Sequence, residues 1–313
     1  RSWQGWQVPV KTSGVHSAAR IEEIPTDNIM AKFGEGMRVA VVAGFQGIAD
    51  DGRITTLGRG GSDTTAVALA AALKSSCCEI YTDVDGVYSA DPRVVPEARK
   101  IPRLSYDEMM EMAALGSKVL HFRCVEIAAK FQVPIQVLST FSENTGTWIQ
   151  KEVTEMEAPV VSAVTHDSKV VVLQAEPIPE GVDFLSKLFN QLSNHEVVVD
   201  IIAQAQGEKG PRVAFSISDE DLIEGQKILN EIVPSSATVS VFENVAKVSI
   251  IGVGMRSHPG VAARFFDVLS RKMPKSIAPW VNMATLLFCC LASAGLAWAG
   301  VIFIQGELEF ASA

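Results

Sequence analysis

Residues Thr55 to Asp63 read Thr-Thr-Leu-Gly-Arg-Gly-Gly-Ser-Asp. The residues before them have the character of an arriving strand, and Thr64 to Lys74 that of a departing helix. Strand, glycine loop and helix start in that order make an anion site. A helix N-terminus offers unpaired N–H groups and a partial positive charge. Gly58, Gly60 and Gly61 let the backbone approach a ligand without interference from a Cβ. Arg59 adds a planar fork suited to a carboxylate or phosphate. Ser62 and Asp63 are also good helix starters, and a capping role for them is expected.

The surroundings fit an α/β fold. Val39 to Ala43 is a continuous apolar run between Gly36 and Gly44, the pattern of a strand buried on both faces. Strands are expected at Glu79 to Thr82 and Ile135 to Ser139, and a helical region at Ser105 to Lys130, broken near Gly116. Ser105 with Glu108 forms a capping-box pattern. Phe141 to Pro159 is polar and aperiodic and reads as a linker. Beyond it the pattern becomes βαββαβ. Strands are expected at 169–174, 196–203, 212–217 and 238–242, and helices at 182–192 and 219–232, a ferredoxin-like unit. A second copy begins with a strand at 246–252 and a helix at 258–271, and then stops.

Between the first unit's strands lies Thr82 to Arg93, a long polar loop at the carboxyl edge where open α/β sheets bind ligands. Asp83, Asp85 and Asp91 suit Mg²⁺ or ribose hydroxyls, Tyr88 offers a ring face, and Arg93 a phosphate contact. Alone, such a loop would read as solvated surface; beside the arginine–glycine loop it reads as a second half of one site. Lys118, in Gly116-Ser-Lys118, could reach a phosphate, although by itself it reads as a helix surface residue. The five histidines are scattered without metal spacing, and no metal ligands are assigned. A net charge of −9 with no basic block argues against nucleic acid. Five cysteines, an odd number without a Cys-x-x-Cys pair, fit free thiols in a reducing, cytoplasmic setting. No charged-then-apolar leader pattern follows Arg1. Trp280 to Ile304, 25 mostly apolar residues, has the length of a membrane-spanning helix.

Four blocks together resemble bacterial aspartate kinase. They are Val42-Ala-Gly-Phe-Gln-Gly47, Thr55 to Ala66, Thr82 to Arg93, and Leu115-Gly-Ser-Lys118. Ile250 to Val261 resembles the start of that family's second ACT regulatory unit. The resemblance implies an amino-acid-kinase α/β domain followed by ferredoxin-like ACT units. The implied layout is a kinase part at 1–141, a linker at 142–159, one ACT unit at 160–243, an incomplete one at 244–275 and an anomalous apolar tail at 276–313. It implies phosphorylation of the side-chain carboxylate of L-aspartate with ATP and Mg²⁺, the first step toward lysine, threonine, methionine and diaminopimelate. Arg59 is then expected on the substrate with Gly60, Gly61, Ser62 and Asp63, Arg59 and Asp63 being the catalytic pair. Thr82, Asp83, Tyr88, Arg93 and Lys118 are expected at ATP. The resemblance further implies a lysine or threonine effector, for which Ser257, His258, Pro259 and Gly260 are the candidate residues, and homo-oligomers formed through the ACT units.

The chain departs from that pattern in three places. The family's Lys-Phe/Tyr-Gly-Gly strand and a substrate-binding glutamate are not among residues 1–313, so an N-terminally truncated, inactive polypeptide with exposed sheet edges is expected. The Asp-x-Pro-Gly effector loop reads Glu176-Pro-Ile-Pro-Glu-Gly181. The apolar tail stands where ACT strands are needed, which favours replaced sequence over a genuine membrane anchor. The competing readings are a non-catalytic regulatory partner and another amino-acid kinase, such as acetylglutamate or uridylate kinase. The tandem ACT pattern and Gly-Arg-Gly-Gly-Ser-Asp argue against the latter.

Overall fold

The structure is a computed structural model that describes residues 1–151, 160–252, 258, 260–272, 287–289 and 298–305. The chain divides into two units. One is built from Arg1–Ala163 with Ile251 and Gly252, the other from Val164–Ile250 with the described residues that follow.

The first unit opens with β1 (Ser2–Trp3), β2 (Lys11–Thr12), β3 (Ile21–Glu23) and α1 (Asp27–Gly34). Next come β4 (Val41–Val42), β5 (Gln46–Ile48), β6 (Ile54–Thr56) and α2 (Gly61–Ala72). The rest is β7 (Cys78–Thr82), β8 (Val87–Tyr88), β9 (Lys100–Ile101), β10 (Arg103–Ser105), α3 (Tyr106–Ala114), α4 (Phe122–Phe131), β11 (Ile135–Ser139) and β12 (Thr147–Gln150). Its main sheet runs β10-β12-β11-β7, and a second runs β3-β2-β5-β6. β7 and β11 are parallel, with Ile135 opposite Cys78 and Ser139 opposite Thr82. Alternate residues of both strands point into the core, Cys78 and Ile80 on one, Ile135 and Val137 on the other. The parallel register sets the carboxyl ends of β7 and β11 side by side, where the 82–93 loop leaves the sheet.

Two expectations change here. The run at 39–43 is not a strand buried on both faces. Only Val41–Val42 is extended, it pairs with β1 alone, and Val39 and Val41 are 64% and 58% exposed. Its apolar residues fit a central strand, but among the described residues no strand lies on its second side. Thr147–Gln150, within the stretch read as linker, is a strand joined to β10 and β11; Thr147 and Ile149 are its buried positions. Among the described residues β7 lies at one edge of its sheet. A groove of 490 Å³ lies in this unit, lined by Ile29, Phe33, Val42, Leu69, Cys78 and Ser62 among others.

The second unit contains β13 (Ala163–Glu176), α5 (Val182–Asn194), β14 (Val199–Gln206), β15 (Pro211–Ser218), α6 (Leu222–Ile232) and β16 (Thr238–Gly252). The order β14-β15-β13-β16 is the ferredoxin-like βαββαβ arrangement. One face of α5 (Phe184, Leu188, Leu192) and one of α6 (Ile228, Leu229) pack with Leu173, Phe215 and Ile217 of the sheet. The period-3.6 and period-2 patterns thus meet in one core. The strands expected at 238–242 and 246–252 are a single 15-residue strand, Thr238–Gly252, which continues past a local irregularity at Asn244, whose φ is +54°. α7 (Val261–Lys272), β17 (Leu287–Cys289) and β18 (Trp298–Gln305) follow. β17 and β18 are antiparallel and continue the sheet beyond β16. The apolar tail is therefore not one helix from 280 to 304. Trp298 to Ile304 is rich in β-branched and aromatic residues, which favour strands. Among the described residues no helix is long and apolar enough to cross a membrane.

Candidate active site

β6 delivers the chain to Leu57, and α2 begins at Gly61, so the intervening loop projects Arg59 outward. Arg59 and Ser62 are exposed, and Asp63 is half-buried. The helix is not capped by Ser62 or Asp63 as expected. Its N-cap is Gly60 at φ +68°, and no side-chain cap hydrogen bond forms. Thr64 and Thr65 instead bond their hydroxyls back to the Gly60 and Gly61 carbonyls, at 2.8 and 2.7 Å. The Ser62 and Asp63 side chains, in the first turn, are engaged with each other rather than in capping the helix.

The glycines are required by protein packing as much as by any ligand. A Cβ on Gly58 would lie 2.4 Å from the Ser17 carbonyl oxygen, and one on Gly60 would lie 2.3 Å from Cβ of His121. Both residues have positive φ, which a side chain would strain. The loop is thus held between the 17–19 segment and the start of α4. Burial raises the carboxyl pKa of Asp63, opposed by nearby His121 and by a hydrogen bond with Ser62. Burial and the neighbouring Arg123 and Arg59 guanidinium groups lower the imidazole pKa of His121, against the pull of Asp63. Arg59, Asp63 and His121 therefore share one electrostatic neighbourhood, with the imidazole biased to its neutral form.

The second loop leaves the end of β7. The Thr82 hydroxyl donates to Asp83 at 3.0 Å, and both face the sheet's carboxyl edge beside Ser139. Asp85 is not an open ligand. The Tyr88 hydroxyl donates to it at 2.7 Å, and Lys100 Nζ and Asn144 Nδ2 each at 3.2 Å. The Tyr88 bond foremost, with Lys100 and Asn144, holds the Asp85 carboxyl below the usual carboxylate range. Asp91 grips Arg93 through two side-chain bonds of 3.0 and 2.8 Å. Among the described residues no group of three His, Cys, Asp or Glu side chains could hold a metal ion. The loop therefore does not fit a protein-borne Mg²⁺ cage; Asp85 braces the loop and Asp91 orients Arg93.

Lys118 lies exposed in the turn between α3 and α4, as the break near Gly116 predicts. The glycine loop, the 82–93 loop and Lys118 all belong to the first unit. His258 and Gly260, in the second, are exposed just ahead of α7; Ser257 and Pro259 lie outside the described residues. In the Glu176–Gly181 segment, Glu176 accepts the Lys209 backbone N–H at 2.7 Å, so its carboxylate is bound within the unit. His121 and Arg123 are absent from the sequence-derived site; the available signal was their position just after Lys118, at the start of a helix.

Residues 2–139 match the amino acid kinase family and residues 248–273 an ACT domain. The aspartokinase of Pseudomonas aeruginosa is 45% identical over 279 residues, covering 87% of this chain and 67% of its own length. Aspartokinase 2 of Bacillus subtilis is 43% identical over 273 residues, with the same coverage of 87% and 67%. Among solved structures, Escherichia coli aspartokinase III in complex with aspartate and ADP superposes with a TM-score of 0.76 at 27% identity. It covers 98% of this chain and 66% of its own. Clostridium acetobutylicum aspartate kinase, at 22% identity and a TM-score of 0.72, shares the fold; 97% of this chain and 67% of that one are covered. The chain spans about two thirds of the length of the curated relatives it matches. With this identity carried across both units, the chain belongs to the aspartokinase family.

Proposed function

We propose that this chain carries the aspartate-contacting and ATP-contacting loops of an aspartate kinase, which makes 4-phospho-L-aspartate at the head of lysine, threonine, methionine and diaminopimelate synthesis. The observation that carries the reading is Arg59, held exposed between left-handed glycines at the N-terminus of α2. A substrate carboxylate meets a planar cation and the positive end of the helix dipole there. Arg59 grips aspartate with Gly60, Gly61, Ser62 and Asp63; Thr82, Asp83, Tyr88, Arg93 and Lys118 line ATP. The nearby complex of E. coli aspartokinase III with aspartate and ADP supports this pairing of ligands.

The chemistry asks little proton transfer of the protein. The side-chain carboxylate of aspartate has a pKa of about 3.9 and is ionised at neutral pH, so it attacks the γ-phosphoryl group without a general base. The demand is alignment of two anions and neutralisation of their charge. Arg59 neutralises the acceptor and Arg93 and Lys118 the donor. Mg²⁺ bound with the nucleotide would supply further neutralisation of the donor's charge, a mode that needs no dedicated protein cage. The family's Lys-Phe/Tyr-Gly-Gly lysine is not among residues 1–313, so these residues alone are expected to bind without turning over. The ACT units bind a feedback amino acid, lysine or threonine, with His258 and its neighbours as candidates, and pair between subunits in the cytoplasm. The E. coli aspartokinase III complex with lysine and aspartate supports an amino-acid effector.

Calorimetric titration of residues 1–313 with L-aspartate and with Mg·ADP tests the site. Both are expected to bind, and Arg59→Ala is expected to weaken aspartate by at least about tenfold, the loss of a charge-assisted bond, while sparing ADP. Equal aspartate affinity in wild type and Arg59→Ala would sink the assignment. Aspartyl hydroxamate formation by residues 1–313 at enzyme-like rates would sink the expectation of inactivity.

A further inference from the structure

The loop that carries Arg59 is fixed by a residue far from it in sequence. Leu57, the last residue before Gly58, is fully buried, and its carbonyl accepts from Nη1 of Arg123 at 2.6 Å. Nη2 of the same guanidinium donates to the Ala19 carbonyl at 2.8 Å. One planar fork therefore joins α4, the glycine loop and the 17–19 segment whose Ser17 carbonyl packs under Gly58.

The placement of Arg123 is not explained by its own helix. It lies in the first turn of α4, where a cation opposes the helix dipole, and that turn holds no acidic residue. Among the described residues it makes no ion pair, so its charge is spent on two carbonyl oxygens. The preceding residue pair reinforces the contact: His121 caps α4 through Nδ1, which accepts the Arg123 backbone N–H at 3.3 Å, and its Cβ abuts Gly60. The start of α4 thus touches the loop on both sides of Arg59, at Leu57 and at Gly60.

We propose that Arg123 is the positioning residue of the aspartate loop: its guanidinium fixes Leu57, and through it the direction of Arg59, without touching substrate. This rests on the reading of Arg59 as the aspartate contact. A lysine cannot replace it fully, because an ammonium lacks the fork that holds two carbonyls in one plane. The consequence is selective. Aspartate affinity depends on Arg123, whereas the 82–93 loop, built on β7, does not.

The test uses the whole 313-residue chain and its Arg123→Gln and Arg123→Lys variants. Amide exchange is read at Gly61 and Thr64, whose N–H groups bond to the Gly58 and Gly60 carbonyls. L-Aspartate and Mg·ADP are titrated in parallel. In Arg123→Gln, exchange at both amides is expected to rise about tenfold and aspartate affinity to fall about tenfold, with ADP unchanged. Arg123→Lys should fall between that variant and wild type. Unchanged exchange and aspartate affinity would overturn the proposal, as would a parallel loss of aspartate and ADP binding, which marks general destabilisation. If the glutamine variant does not fold, the lysine variant carries the same readouts. Arg59→Ala separates the two readings: unchanged aspartate affinity there defeats the site assignment, while faster exchange in the Arg123 variants still upholds the clamp.

Discussion

Asp63, proposed for the aspartate site, carries a cost in stability. Burial raises its folded-state pKa, so the ionised carboxylate is disfavoured in the native structure. The direction with pH follows from linkage. At neutral pH the folded state bears the full penalty of the charge. As pH falls below the unfolded pKa of about 3.9, both states are protonated and the penalty vanishes. Asp63→Asn is therefore expected to raise the melting temperature at pH 7 and to have no effect near pH 3, while weakening aspartate binding. Melting curves of the two proteins across that range check it; a variant less stable than wild type at pH 7 would contradict the assignment. The cysteines show the opposite, inert case. Burial pushes the Cys78 thiol up to about 11 and the Cys124 thiol up to about 12, which removes both from thiolate chemistry at neutral pH.

At the scale of elements, α3 is the helix most directly written in sequence. The Ser105 hydroxyl accepts from the Glu108 N–H at 3.2 Å, and the Glu108 carboxylate accepts from the Ser105 N–H at 3.0 Å. The other oxygen of Glu108 bonds to the Ser162 hydroxyl, which ties the helix start to the far end of the unit. Ser105→Ala is expected to cost about 1 kcal/mol, read as a lower urea midpoint at constant slope. The capping box was legible because both partners lie within four residues. So were β11, from Ile135-Gln-Val-Leu-Ser139, and α5, from its apolar stripe. What escaped depended on distant partners. α4 is capped by a histidine, a residue with no strong capping signature, and its role at the glycine loop arises from contacts dozens of positions away. α1 lay hidden in a stretch rich in turn formers and gains its place by burying Ile29 against Val8 and Val10. The aspartates at 85 and 91 looked like open ligands because sequence does not show that Tyr88, Lys100 and Arg93 fold back onto them.

At the scale of the whole molecule, two units each have their own apolar core, one around Val8, Val10 and Ile29, the other around Leu173, Leu188 and Phe215. Separate cores predict separate melting. Calorimetric unfolding of the chain is expected to give a total enthalpy larger than the van't Hoff value from any single transition; equality of the two would show one cooperative unit. The aspartokinase fold class was legible at this scale because alternating strands and helices precede a βαββαβ pattern. The tail was not, since apolar content alone does not separate a spanning helix from strands such as Trp298–Gln305. The clamp made by Arg123 also sets an order of events during synthesis. Its two carbonyl partners lie 66 and 104 residues earlier in the chain. At ribosomal speeds of about 5–20 residues per second, Ala19 waits roughly 5–20 s for the arginine that will hold it. Until then a nascent chain carries Arg59 on a loop without those two bonds, so under the role proposed for Arg59 full aspartate affinity arises only after α4 has been made.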